Sequence, residues 1–140
     1  MTIGITTALR NDRLQLLLDD IDDGADEYST ASLLIYDGDR PATGEAIDEY
    51  DNDLLVTFDM PFPCGTISAG VLTFGAIADA IASAYGIATW GRMLNEAGDF
   101  VADLSVTNEV GNGDIKLNDT EIFAGGVIHC LVATITEGNA

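Results

Sequence analysis

The chain has 140 residues, of which 47% are hydrophobic and 7% aromatic, and it sets 24 acids against five Lys or Arg and a single His, a formal charge of −19. That length suits one domain with a sizeable core, since a chain of about 150 residues hides roughly 70% of the surface its unfolded form exposes, and the apolar content excludes a disordered chain. The charge disfavours phosphate backbones and anionic lipid headgroups, so no direct nucleic-acid contact and no membrane are expected, and the partner sought is protein.

The first segment, 1–7, reads as an apolar arm carrying Ile3 and Ile5, able to swap or dock on a neighbour. It has no basic n-region and its apolar run is too short for a signal peptide, so synthesis in the cytosol is expected. Gly, Asp and Thr interrupt every later run before it reaches the roughly 20 apolar residues of a membrane span. A helix follows over 8–23: Leu14, Leu17, Leu18 and Ile21 recur at helical spacing, Thr7 can cap the start and Gly24 can end it. Its charges oppose the macrodipole, with Arg10 and Arg13 early and Asp19, Asp20, Asp22 and Asp23 late, so packing or a partner must hold it. The acids between Asp19 and Glu27 fail as a calcium loop: with Gly24 at position six, Ile21 stands at position three, where an oxygen ligand is needed.

From residue 30 to 136 the chain reads as a β core. Strands are expected over 33–36, 54–58, 67–74, 85–94, 100–107 and 127–136, all rich in β-formers. In 100–107, Phe100, Ala102, Leu104 and Val106 share a core-directed face, while Asp103, Ser105 and Thr107 share the other. Asp37-Gly38, the Pro41 to Gly44 segment, the Asn95 to Gly98 segment and 108–113 with its Asn112-Gly113 pair carry hairpin chemistry. The acidic stretch 45–53 and the segment 22–30 suit mobile loops. The expected fold is mainly β: an antiparallel β-sandwich or small barrel with one N-terminal α-helix, as a single domain over 1–140.

Chemistry is sparse. Cys64 and Cys130 stand too far apart for a metal knuckle or a redox pair and read as small buried residues. His129 lies in a strand next to Cys130, whose side chain points to the opposite face, so the two do not make a nucleophile and base. Gly111-Asn-Gly113 lacks the third glycine of a dinucleotide fingerprint, because Lys116 stands there. With so many acids, close carboxylate pairs arise by chance and do not point to glycoside chemistry. No catalytic residue, cofactor or metal ligand is therefore assigned. Of the few cations, Arg40, Arg92 and Lys116 lie in or beside turns and strands. Arg92 beside Trp90 is the best candidate for an interface anchor, its other reading being a local ion pair at a strand end.

Asn11-Asp12-Arg13-Leu14, Ile35-Tyr36-Asp37-Gly38-Asp39-Arg40-Pro41-Ala42-Thr43-Gly44, Gly86-Ile87-Ala88-Thr89-Trp90-Gly91-Arg92, Ile115-Lys116-Leu117-Asn118 and Ala124-Gly125-Gly126 occur in this order along most of the chain. In these segments the sequence resembles a family of small proteins encoded by tailed bacteriophages and prophages. It departs from that pattern in the acidic insert 45–53 and in its many surface acids, which a saline habitat would ease. The resemblance implies a virion structural component. The expected form is a capsid decoration or cement protein on the shell exterior, bridging subunits of the major capsid protein and associating with copies of itself as a dimer or trimer. The candidate interface comprises Ile3, Ile5, Arg40, Trp90 and Arg92. A tail or head-to-tail connector component and a carbohydrate- or receptor-binding β module are the alternatives. Trp90 exposed on a concave surface would favour the ligand-binding module, and Trp90 buried among Ile87, Leu94 and Phe100 would favour a scaffold; the Gly86-Ile87-Ala88-Thr89-Trp90 strand pattern makes burial the expectation.

Overall fold

The structure is a computed structural model that describes residues 4–137. It is mainly β with one N-terminal helix, as expected. Helix α1 spans Thr7–Ile21. The strands are β1 (Ser32–Tyr36), β2 (Leu54–Asp59), β3 (Gly65–Ser68), β4 (Val71–Phe74), β5 (Ala80–Ile81), β6 (Gly86–Ile87), β7 (Trp90–Leu94), β8 (Phe100–Asn108), β9 (Ile115–Leu117), β10 (Glu121–Ile122), β11 (Val127–Ile128) and β12 (Cys130–Thr136). Eight of them form one curled sheet in the order β2-β1-β7-β8-β9-β12-β4-β3, and two short ribbons, β10-β6 and β11-β5, lie beside it. Leu33, Ile35 and Phe58 from one end of this order and Leu72 and Phe74 from the other share a single apolar core with Leu14, Leu18 and Ile21 of α1. The sheet therefore closes over one core, and the helix fills the opening.

Packing, not intrinsic preference, holds α1. It has no acid in its first turn and no base in its last. The cap is Thr6, one residue earlier than expected, whose Oγ1 accepts from the Leu9 N–H at 3.2 Å. At its start Arg10 Nε donates to the Glu137 carbonyl at 3.0 Å, Arg13 pairs with the Glu137 carboxylate at 3.0 Å, and Asn11 Oδ1 accepts from the Gly70 N–H at 2.8 Å. At its end the C-cap is Asp22 instead of Gly24, and its carboxylate accepts from the Cys64 N–H at 3.1 and 3.2 Å. Burial pushes the Asp22 carboxyl above its ordinary range against the pull of that hydrogen bond, and Asp19 adds to the rise.

Several expected strands are divided. The run 67–74 is a hairpin, β3 and β4, turning at Ala69 (φ 52) and Gly70 (φ 76). Gly70 adopts its positive φ without strain, and an added Cβ would displace the Arg10 guanidinium from the turn. The run 85–94 splits into β6 and β7, and 127–136 splits into β11 and β12 at His129, which lies between strands instead of within one.

The segment 108–113 is not a hairpin. β8 and β9 pair in parallel, Val106 opposite Ile115 and Asn108 opposite Leu117. The chain folds back tightly along β8 before turning again. Gly113 N–H donates to Thr107 Oγ1 at 3.0 Å, and the Asp114 carboxylate accepts from the Ser105 N–H and hydroxyl at 3.1 and 3.0 Å. A Cβ on Gly113 would stand 2.8 Å from the Thr107 backbone nitrogen, so here glycine serves close approach and not a hairpin turn.

Phe100 also departs from the expected face. β8 pairs with β7 through Met93 opposite Ala102 and Leu94 opposite Phe100, with a register shift between Met93 and Leu94. The extra residue, Val101, makes a bulge that reverses the alternation. Leu104 and Val106 enter the core, whereas Phe100 joins Arg92 and Asp103 on the opposite face.

Candidate functional site

Of the candidate interface residues, Ile3 lies outside the described residues, Ile5 is half-buried just before α1, and Arg40 is exposed in the segment linking β1 to β2. Arg40 takes part in no ion pair among the described residues. Trp90 and Arg92 are buried inside the subunit, 2% and 7% exposed. The sequence reading placed Trp90 among Ile87, Leu94 and Phe100. Its ring instead stacks on Tyr36, with centroids 4.8 Å apart, and its Nε1 donates to the Asp37 carbonyl at 3.2 Å.

Arg92 is the hub of this outer face. Register sets Asp103 directly opposite it, and the pair is bidentate at 2.8 and 3.2 Å. The guanidinium also lies 5.3 Å from the Trp90 ring centre and 5.2 Å from that of Phe100, and it donates to the Glu45 carbonyl at 2.8 Å. Asp103 accepts in turn from the Gly44 N–H at 3.2 Å. The acidic segment expected to be mobile is thus pinned at Glu45. It is pinned again at Asn52, which is buried and donates to the Asp37 and Asp39 carbonyls at 2.8 and 2.9 Å. Burial raises the Tyr36 phenol, the Arg92 charge pulling the other way. The ion pair is spent inside the fold, which gives Arg92 the second of its two readings, and the Asp103 half of the pair was missed. Strand alternation had already set Asp103 on the polar face. What a sequence does not display is that β7 aligns Arg92 with it.

The remaining reactive groups are isolated. Cys64 and Cys130 are free thiols, raised to about 12 and about 11 by burial, Asp22 adding to the rise at Cys64, so both are protonated and unreactive at neutral pH. No group of three or more His, Cys, Asp or Glu side chains suited to a metal ion occurs among the described residues. Two shallow hollows of about 230 and 280 Å³ flank the end of β4 around Phe74, and Cys130 is the only titratable side chain lining them.

A second surface went unnoticed in the sequence. From Met60 to Gly91 the only charged residue is Asp79, and from Ile122 to Thr136 the only ionisable residue besides Cys130 is His129. These two stretches pair with each other through β4 and β12 and through β5 and β11. Asp79 and His129 meet at 2.6 Å, Nδ1 to Oδ1. On this side Ile81 stands opposite Val127, the Tyr85 and Phe123 rings lie 5.2 Å apart, and Ile87 follows, with the exposed Glu121 opposite it; the five apolar residues are more than half exposed. The signal that could have found this face is the gap in a chain of 24 acids. No helix is long and apolar enough to cross a membrane among the described residues.

Comparison of the chain with protein-family models, with curated proteins and with solved structures gives no match.

Proposed function

We propose that this chain is a structural component of a tailed-phage virion, and within it a capsid decoration protein that stabilises the shell by bridging major capsid subunits. The observation that carries the structural reading over a ligand-binding one is the burial of Trp90, locked between Tyr36 and Arg92 under the Asp37 carbonyl. A sugar-binding module needs such a ring exposed to stack on its ligand. The aromatic and cationic groups that could recognise a ligand are instead used to fasten the acidic segment to the sheet. The phage assignment rests on the sequence resemblance.

A position outside the shell suits the charge. Acids that repel DNA cost nothing there, and several weak contacts on a repetitive lattice add by avidity. The test is to mix the purified protein with capsids lacking it and with purified tails, and to image which particles gain density. Regular density on the capsid exterior is the expected result. Density at the vertex or along the tail would assign a connector or tail role, and absence from both particles would sink the virion reading.

A further inference from the structure

We infer that two copies of this chain pair through the free edge of β3, antiparallel about a two-fold axis at Thr66, an association independent of the virion reading. β3 ends the eight-stranded order and pairs only with β4. The two-residue turn at Ala69 and Gly70 makes Ser68 and Val71 a hydrogen-bonded pair. Thr66 and Ser68 therefore bond to β4, while the N–H and C=O of Gly65 and Ile67 point the other way, where they meet no partner among the described residues. Natural sheets guard such edges with charge, and β3 has no guard: the nearest charged residues in the chain are Asp59 before it and Asp79 after it. The opposite edge is guarded, because β2 ends in Asp59 and its Leu55 carbonyl accepts from the Ser83 N–H at 2.8 Å.

An unpaired edge calls for a strand, and the placement of α1 makes that strand a second β3. Antiparallel pairing sets Gly65 against Ile67 of the second copy and Ile67 against its Gly65, so both outward pairs close and each isoleucine lies beside a residue without a side chain. Helix α1 runs along the strand: Asn11 accepts from the Gly70 N–H at 2.8 Å at one end, and Asp22 accepts from the Cys64 N–H at 3.1 and 3.2 Å at the other. Arg10, Asp12, Arg13 and Glu137 gather at the Gly70 end, and Asp19, Asp20, Asp22 and Asp23 at the Cys64 end. Arg10 lies against Gly70 and enters no ion pair among the described residues. Within one molecule this order of charges opposes the helix dipole. Across the two-fold it becomes complementary, because the arginine end of each helix meets the all-acid end of the other and the two dipoles run antiparallel. A strand from an unrelated protein would satisfy the edge without answering that charge order.

Thr66, exposed and on the axis, is the probe. Sedimentation of the full chain over about 1 to 300 µM should show the wild type passing from monomer to dimer. Thr66→Lys and Thr66→Glu should each raise the midpoint at least about tenfold with circular dichroism unchanged, since the two-fold sets like charges side by side, and an equimolar mixture of the two should regain the wild-type midpoint. Thr66→Cys supplies a second readout, because a non-hydrogen-bonded pair holds its Cα atoms about 4.5 Å apart, within the span of a disulfide. On mild oxidation it should cross-link to a dimer at least about tenfold faster than Val110→Cys, at a loop position 84% exposed and away from this edge. A monomer throughout the range overturns the inference, as does a dimer that both charge variants leave unchanged or a Thr66→Cys chain that cross-links no faster than Val110→Cys. No capsid is present, so a dimer that ignores capsids sinks only the virion reading, and a strict monomer that decorates them sinks only this one.

Discussion

The half of the sheet built from β2, β1, β7 and β8 and the half built from β9, β12, β4 and β3 draw on similar β-forming residues, yet they treat charge in opposite ways. In the first, acids crowd the connecting loops, and one arginine ties such a loop to the sheet: Arg92 pairs with Asp103 of β8 and donates to the backbone carbonyl of Glu45, on a face closed by Trp90 and Phe100. In the second, the strands β3, β4 and β12 carry no charge at all, and their connections are made by turns and backbone hydrogen bonds such as Gly75 N–H to the Cys64 carbonyl at 2.9 Å. The contrast shows that an excess of acid need not be spread evenly to be tolerated. It can be concentrated where a buried cation fixes the chain, leaving the strands β3, β4 and β12 without charge.

The sharpest way to break the comparison is to remove the cation. Arg92→Leu leaves Asp103, whose side chain is 1% exposed, as a buried carboxylate without its counter-charge. The expected loss is about 3 to 5 kcal/mol, measured by denaturant unfolding. Arg92→Leu combined with Asp103→Leu should recover most of it, since an apolar pair of similar volume has no unmet charge. A double variant as unstable as the single one would mean that the Glu45 and ring contacts, not the ion pair, hold this half together.

The seam between the halves should respond next. Gly113→Ala forces a Cβ against the Thr107 backbone where β8 hands over to β9, and backbone yields less than a side chain tip. A loss of about 1 to 3 kcal/mol is expected, with a lowered melting temperature as the readout. An unchanged midpoint would show that the fold-back loop is free to move away from β8.

The seam is also where sequence reading failed, and the reasons are physical. Hydrophobic spacing located α1, since Leu14, Leu18 and Ile21 must face one way, and it located the β-rich runs of the core. It could not show that Val101 is a bulge, because a bulge changes register without changing composition, and so Phe100 was assigned to the wrong face. Asn112-Gly113 carries a hairpin signature, but Thr107, distant by several residues, takes the Gly113 N–H and leads the chain into a parallel pairing instead. At the candidate sites the burial of Trp90 and a local ion pair for Arg92 were legible as expectations, though not the partners Tyr36, Asp37 and Asp103. The burial of Trp90 and Arg92 depends on a loop whose acidic composition reads as solvated. The charge-poor stretches 60–91 and 122–136 were legible only as an absence, far apart in the chain.

A gain is expected in the neutral half. Ala69 holds φ 52 in the β3–β4 turn, a conformation that a residue with a Cβ adopts at a cost of about 1 kcal/mol and that asparagine tolerates. Ala69→Asn would create the favoured two-residue hairpin sequence before Gly70. Stability should rise by about 0.5 to 1 kcal/mol. A decrease on thermal unfolding would indicate that the turn is set by Arg10 and Asn11 of the helix instead of by its own backbone preference.

The smallest effect belongs to Asp22, whose carboxylate leaves the acidic helix end to accept the Cys64 N–H in the neutral half. Its folded-state pKa is raised, burial outweighing that hydrogen bond. A raised carboxyl binds its proton more tightly when folded, so its contribution to stability falls as pH rises from the ordinary carboxylate value through the folded one, and the ionised form is a cost at neutral pH. Asp22→Asn removes this titration while its amide oxygen can still accept from Cys64. The variant should therefore compare most favourably with the wild type at neutral pH and lose that advantage on acidification through the carboxylate range. Paired denaturation curves at several pH values read the difference directly and cancel the contribution of the other acids. An advantage that grew on acidification would reverse the sign, and would mean that the charged hydrogen bond to Cys64, not desolvation, governs how the acidic half is joined to the neutral one.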